Sequence, residues 1–149
     1  MVDLATEMSY HRAAKVLQSW VPGISVMTLW KQVQRVGEQE RQSAKEKQEL
    51  VFERGEVPPG ERQVRELAVE ADGVWVSVRR EQEGDPRHVE IKLAVAYEGR
   101  TERGRLRGRK VVAGVMAPED FWEQTMAMFG QTWDWCAVKR CWLGGDGCQ

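Results

Sequence analysis

The hydrophobic period of the chain changes between residues 56 and 66, and that change divides its architecture. Up to about residue 56 the apolar residues recur three and four positions apart; from about residue 66 they recur at every second position. The first pattern is helical and the second is that of strands. Tyr10, Ala13, Ala14 and Leu17 form one apolar stripe, and Ser9 stands where an N-cap belongs. Val21-Pro22-Gly23 interrupts it. Ser25 is then the expected cap of a second helix with the stripe Val26, Leu29, Trp30 and Val33, and Gly37 is its expected end. From Glu38 to Arg54 there is no Gly or Pro, and Glu, Gln, Lys and Arg dominate around Ala44, Leu50 and Phe52. This composition predicts a solvated connecting helix, closed by Val57-Pro58-Pro59-Gly60.

Beyond it, Leu67, Val69 and Ala71 alternate with Glu66, Ala68 and Glu70, which predicts a strand. Asp72-Gly73 separates it from a second expected strand with Val74, Val76 and Val78. A turn is expected at Glu81–Arg87, a third strand at Val89–Tyr97, and either a continuation or a separate strand at Lys110–Val115. Pro118–Gly130 predicts a helix, with Pro118 in its first turn and Glu119 and Asp120 at its positive end. A short strand at Val138–Leu143 completes a β-β-β-α-β order.

Charge is distributed in blocks. The net charge is -1, yet residues 1–36 carry a formal +2, residues 37–61 a formal -3, and residues 99–110 a formal +5. A nucleic-acid role would therefore rest on local patches. No apolar run approaches the roughly 18 residues of a membrane span, so no membrane partner is expected. The odd count of three cysteines points to a reducing cytosol, and their spacing, with His11 and His88 distant, disfavours zinc. Of seven tryptophans, Trp30 and Trp122 lie on apolar stripes, and the tryptophans are expected mostly in the core.

Three groups of residues could carry chemistry. Asp72 and Asp146 each sit where a strand is expected to end, in Ala71-Asp72-Gly73 and Gly145-Asp146-Gly147. Two such carboxylates could share hard divalent cations, which activate water in phosphodiester chemistry. The competing expectation is a pair of Asp-Gly turns whose side chains bond their own backbone. Thr28, Lys31, Gln34 and Arg35 line the polar face of the second helix, the face that a helix-turn-helix presents to the major groove; a plain helical hairpin is the alternative. Arg100, Arg103, Arg105, Arg107, Arg109 and Lys110, against Glu102 alone, suit phosphate contacts or simply a solvated loop.

A family resemblance joins these pieces. The runs Ser9–Leu17 and Thr28–Gln34 resemble the helix-turn-helix of bacterial ISLre-type insertion-sequence transposases, which belong to the Mutator-like DDE superfamily. Glu70-Ala71-Asp72-Gly73-Val74-Trp75-Val76 resembles that family's first catalytic-strand motif, and Lys92–Gly99 and Gly145-Asp146-Gly147 its later ones. Cys148 stands where a small residue such as Ala is more usual. The resemblance implies an α/β chain: a helix-turn-helix region at 1–37, a charged linker helix and turn at 38–61, and the N-terminal part of a ribonuclease-H-like mixed sheet at 62–149. It implies Mg²⁺ or Mn²⁺ held by Asp72, Asp146 and a third acid, a Glu on a later helix. Cleavage of a phosphodiester at the element end would be followed by strand transfer to target DNA. The sequence stops three residues past Asp146, and none of Glu70, Glu90, Glu98 or Asp120 is placed to replace that Glu. The expectation is a transposase fragment, inactive alone, that binds double-stranded DNA at transposon ends in the bacterial cytoplasm and nucleoid and could form a homo-oligomer. The alternatives are a non-catalytic DNA-binding module on those ends, or an inert remnant.

Overall fold

The structure is a computed structural model, and it describes residues 1–78 and 86–145. Most of the turn expected at 81–87, and Asp146 and Cys148, lie outside the described residues. The chain divides into two compact units, Met1–Lys45 and Glu46–Gln149.

The first unit begins with helix α1 (Val2–Glu7), which the periodicity did not signal, and α2 (Tyr10–Leu17). Ser9 caps α2 as expected, its hydroxyl accepting from the Arg12 amide. Ala13 and Ala14 are the buried residues of the α2 stripe. Ser25 accepts from the Thr28 amide at 3.0 Å and starts α3 (Val26–Phe52), with Leu29 fully buried. The expected end at Gly37 is corrected: α3 passes through it, so the second helix and the charged connecting helix are one element of 27 residues. The physical reason is the surrounding run of strong helix formers, which outweighs the roughly 1 kcal/mol that one interior Gly costs.

In the second unit the sheet strands are β1 (Glu66–Ser77), β2 (His88–Tyr97), β5 (Lys110–Gly114) and β6 (Arg140–Gly145). Between β2 and β5 the chain forms a two-stranded ribbon, β3 (Gly99–Arg100) with β4 (Leu106–Arg107). Helix α4 (Pro118–Gly130) follows β5 over the residues that the sequence predicts. The four-stranded sheet runs β5-β2-β1-β6. β2 is antiparallel to both β1 and β5, and β6 is parallel to β1. Lys110–Gly114 is thus a separate strand. The expected break at Asp72-Gly73 is corrected as well, since β1 is continuous and pairs with β2 from Ala68↔Tyr97 to Ser77↔His88.

Alternation along β1 sends Leu67 and Val69 to one face, where α4 covers them. With Ala94, Ala96, Val112, Phe121, Phe129 and Trp133 they form the core. Phe129 and Trp133 meet edge to face with centroids 5.9 Å apart. The segment entering β1 is stitched to the segment leaving α4. The Arg62 amide donates to Thr132 and the Asp134 amide to Arg62, each at 2.9 Å. Gly60 lies flat against the Trp133–Asp134 backbone, in space that a Cβ would occupy. The tryptophan expectation holds for the buried Trp133 and in part for Trp135, which packs against the core; Trp30 and Trp122 are exposed. A 3.6-residue stripe marks the side of a helix but not how far a large indole at its margin is covered. No helix among the described residues is long and apolar enough to cross a membrane.

Two substitutions test this fold. A methyl group added at Gly37 would meet no atom within 4 Å, and the residue has no positive φ. Gly37→Ala should therefore stabilise the chain by up to about 1 kcal/mol. Loss of helicity by circular dichroism would contradict a helix running through this position. The Thr125 hydroxyl is fully buried in α4 without a hydrogen-bond partner among the described residues. Thr125→Val should raise stability by about 1 kcal/mol, read as a higher urea midpoint at unchanged slope.

Candidate functional site

The two faces of the sheet differ. Opposite the α4-covered face lie Glu70, Asp72 and Val74 of β1, with Ile91, Leu93 and Val95 of β2 and Val111 and Ala113 of β5, as alternation and register require. From β6 come Trp142 and Gly144. Val74, Leu93, Val111 and Trp142 are exposed there, Trp142 at 58%. Two carboxylates therefore sit within a mainly apolar surface.

Asp72 is exposed and in mid-strand, opposite Leu93, so the expectation that it sits at a strand end is corrected. One of its carboxylate oxygens accepts from the Gly73 amide at 2.7 Å. That local bond is all that survives of the Asp-Gly turn alternative. The register of β6 bears on the other acid. Gly144 pairs with Glu70 and Gly145 with Ala71, so the residues immediately before the two aspartates are partners across a parallel ladder. Gly144 brings no side chain to this face, and a depression of about 390 Å³ lies there, lined by Glu70, Ala71, Asp72, Leu93, Val95, Gly144 and Gly145.

Glu70, two residues before Asp72 and on the same face, is already engaged. The Tyr97 hydroxyl donates to its carboxylate, and the Arg100 guanidinium lies 3.6 Å from the same oxygen. Arg100 also stacks over the Tyr97 ring, 5.6 Å from its centroid. The Tyr97 oxygen, and more weakly Glu70, raise the Arg100 guanidinium above its ordinary range. Periodicity did not single out Glu70 and Tyr97 as site residues. The one signal for them was the i, i+2 spacing of Glu70 and Asp72, which puts both on one strand face.

The basic segment 99–110 is an ordered ribbon rather than an open loop. The Thr101 amide donates to Arg105 at 2.8 Å, and the Thr101 hydroxyl accepts from the Arg105 amide. Its base is fixed by Glu98, whose carboxylate accepts from Trp133 Nε1 and pairs with Arg62, both at 2.9 Å. The six expected phosphate contacts divide into two groups. Arg100 pairs with Glu70, and Lys110 donates to the Thr132 hydroxyl at 2.9 Å. Arg103, Arg105, Arg107 and Arg109 are exposed, with no acidic side-chain partner among the described residues.

In the first unit, Thr28, Lys31, Gln34 and Arg35 are all exposed on α3. Thr28 is partly used in the cap, its hydroxyl 2.9 Å from that of Ser25. The connection between α2 and α3 runs over residues 18–25, longer than the three or four residues typical of a helix-turn-helix.

Among the described residues no group of three or more His, Cys, Asp or Glu side chains could hold a metal ion. Of the two carboxylates at the depression, Glu70 is held by Tyr97 and Arg100, and Asp72 has one bond, to the Gly73 amide, among the described residues. Cys136 and Cys141 are free and exposed, and partial burial raises the Cys141 thiol.

No curated protein and no solved structure matches the chain. A family model does, over residues 1–149. The chain belongs to UPF0236, an uncharacterised protein family.

Proposed function

We propose that this chain is the helix-turn-helix region and the first part of the ribonuclease-H-like catalytic domain of a DDE transposase, of the kind encoded by ISLre-type insertion sequences. One observation carries the reading. Asp72 projects from the middle of a central strand, and the parallel strand beside it brings Gly145, the residue before Asp146, into register with Ala71. In the ribonuclease-H-like fold the first acid lies on the first strand and the second just after the fourth. The strand order β5-β2-β1-β6 and its senses agree with that plan.

On this reading Asp72 and Asp146, with a third acid, hold Mg²⁺ or Mn²⁺. The bound metal supplies activation of water and stabilisation of the leaving oxygen in phosphodiester cleavage and strand transfer. The chain's own residues position the substrate. Arg103, Arg105, Arg107 and Arg109 take phosphates of double-stranded DNA at the transposon ends. Lys31, Gln34 and Arg35 of α3 face a major groove, with Thr28 at the start of that face. The partner is DNA, with a second copy of the chain as a further one, and the setting is the bacterial cytoplasm and nucleoid.

On this reading the chain is not expected to cleave by itself, because Asp72 and Asp146 are two carboxylates and leave a metal pair under-liganded. The same observation favours a second reading, a DNA-binding module that occupies transposon ends without cutting them. Both readings require binding to DNA.

Two measurements test the proposal. In a strand-cleavage assay on element ends with Mg²⁺ or Mn²⁺, no product is expected. Product that disappears in Asp72→Asn would overturn the inactivity and establish the site. Asp72 is exposed and its carboxylate has only a local bond, so that variant should keep its stability within about 0.5 kcal/mol. In a gel-shift titration, affinity should fall with salt, each phosphate contact contributing about 0.9 to the logarithmic slope. Absence of binding at low salt would refute both DNA readings and leave an inert remnant.

A further inference from the structure

The basic ribbon and the strand that carries Asp72 are joined by a contact that neither a DNA-binding loop nor a catalytic strand requires. Glu70 of β1 accepts from the Tyr97 hydroxyl at the end of β2, and Arg100 of β3 pairs with the same carboxylate oxygen while covering the Tyr97 ring. Tyr97 is buried, with 7% of its surface exposed, although it lies on the face of the sheet away from α4. Arg100, although exposed, is thereby engaged by Glu70 and Tyr97, whereas Arg103, Arg105 and Arg107 of the same ribbon have no acidic partner among the described residues.

We infer that Glu70 and Tyr97 anchor Arg100 so that the β3–β4 ribbon stands at a fixed attitude beside the Asp72 depression. Arg100 is a positioning residue, and the other arginines of the ribbon take the backbone phosphates of duplex DNA. The inference deepens the DNA reading above and rests on it. Its energetic basis is preorganisation. A loop held in its bound attitude does not lose its freedom again when ligand arrives. The ion pair is half-exposed and is worth little alone. The directional part of the anchor is the hydrogen bond from a buried tyrosine, with the cation stacked on its ring.

Charge alone predicts the opposite sign for one variant, and that difference makes the test. Glu70→Gln removes an acid beside a basic ribbon, so simple electrostatics has it bind DNA more tightly. With an anchor it binds more weakly. The full chain and its Glu70→Gln, Tyr97→Phe, Arg100→Gln and Arg105→Gln variants are titrated with a fluorescein-labelled DNA duplex over a range of salt. Glu70→Gln and Tyr97→Phe should weaken binding about fivefold, the order expected when an immobilised loop must be ordered afresh, and leave the salt slope unchanged. Arg105→Gln should lower the slope by about 0.9, as loss of one phosphate contact does. Arg100→Gln should weaken binding without changing the slope. Amide hydrogen exchange over residues 99–107 should quicken in Glu70→Gln without DNA. Should Tyr97→Phe fail to fold, Glu70→Gln carries the test, since its side chain is half-exposed. Glu70→Gln binding as tightly as the wild type or more so, or Arg100→Gln lowering the slope as Arg105→Gln does, overturns the anchor while the DNA reading stands. A wild-type chain that does not bind duplex DNA at low salt removes both.

Discussion

β1 is the element on which the rest of the second unit depends. It is paired on both sides, antiparallel to β2 and parallel to β6, and its alternation divides the sheet into two unlike faces. Leu67 and Val69 go under α4 and seed the core, while Glu70 and Asp72 go to the opposite face. Its continuity through Asp72-Gly73 matters chemically. β2 pairs with β1 without interruption through Asp72 and Gly73, whereas the ladder with β6 runs as far as Ala71↔Gly145 among the described residues. Among the described residues the carboxylate accepts one hydrogen bond, from the Gly73 amide.

The face that holds the acids is otherwise apolar, with Val74, Leu93, Val111 and Trp142 exposed. Such a surface does not attract a polyanion. The positive charge lies on the ribbon that rises from the end of β2, and Glu98 fixes its base by accepting from the buried Trp133 and pairing with Arg62. A carboxylate side chain that is mostly covered persists because both partners satisfy it, and removing either leaves a buried polar group unpaired. The ribbon is therefore tied to the core through Glu98 and to the acid-bearing strand through Glu70. That double attachment turns a glycine-interrupted, arginine-rich sequence into an ordered element.

Much of the fold is legible in the sequence because local signals and tertiary packing agree. The Ser9 and Ser25 caps, the α4 bounds and the strands at 88–97 and 140–145 follow from capping chemistry and period, whereas the strand count before α4 does not, because the two strands expected on either side of Asp72-Gly73 are one. Failures occur where a weak local signal meets a stronger context. Gly37 reads as a stop, but its neighbours are strong helix formers. Asp72-Gly73 reads as a turn, but β2 offers an unbroken partner from His88 to Tyr97, and pairing over that length outweighs the local preference. Trp30 and Trp122 read as core because period gives direction and not depth. At the site, Asp72 was identifiable by type and motif. Tyr97 was not, because its role depends on the register that sets it beside Glu70, and register is a property of two strands together.

The near-zero net charge of the chain conceals the feature with most consequence for binding. Opposed charges spread evenly along a chain screen one another within a Debye length, about 8–10 Å at physiological ionic strength. Here they are segregated in sequence, with acids concentrated in residues 37–61 and bases in 99–110. Within the ribbon the segregation is refined by structure. Arg100 and Lys110 are spent on Glu70 and Thr132, and the arginines between them remain outward. Glu70, an acid of the chain itself, thus organises a basic surface instead of merely diluting it. Counting charges along the sequence overstates the number of cations available to a ligand and understates how well those that remain are placed.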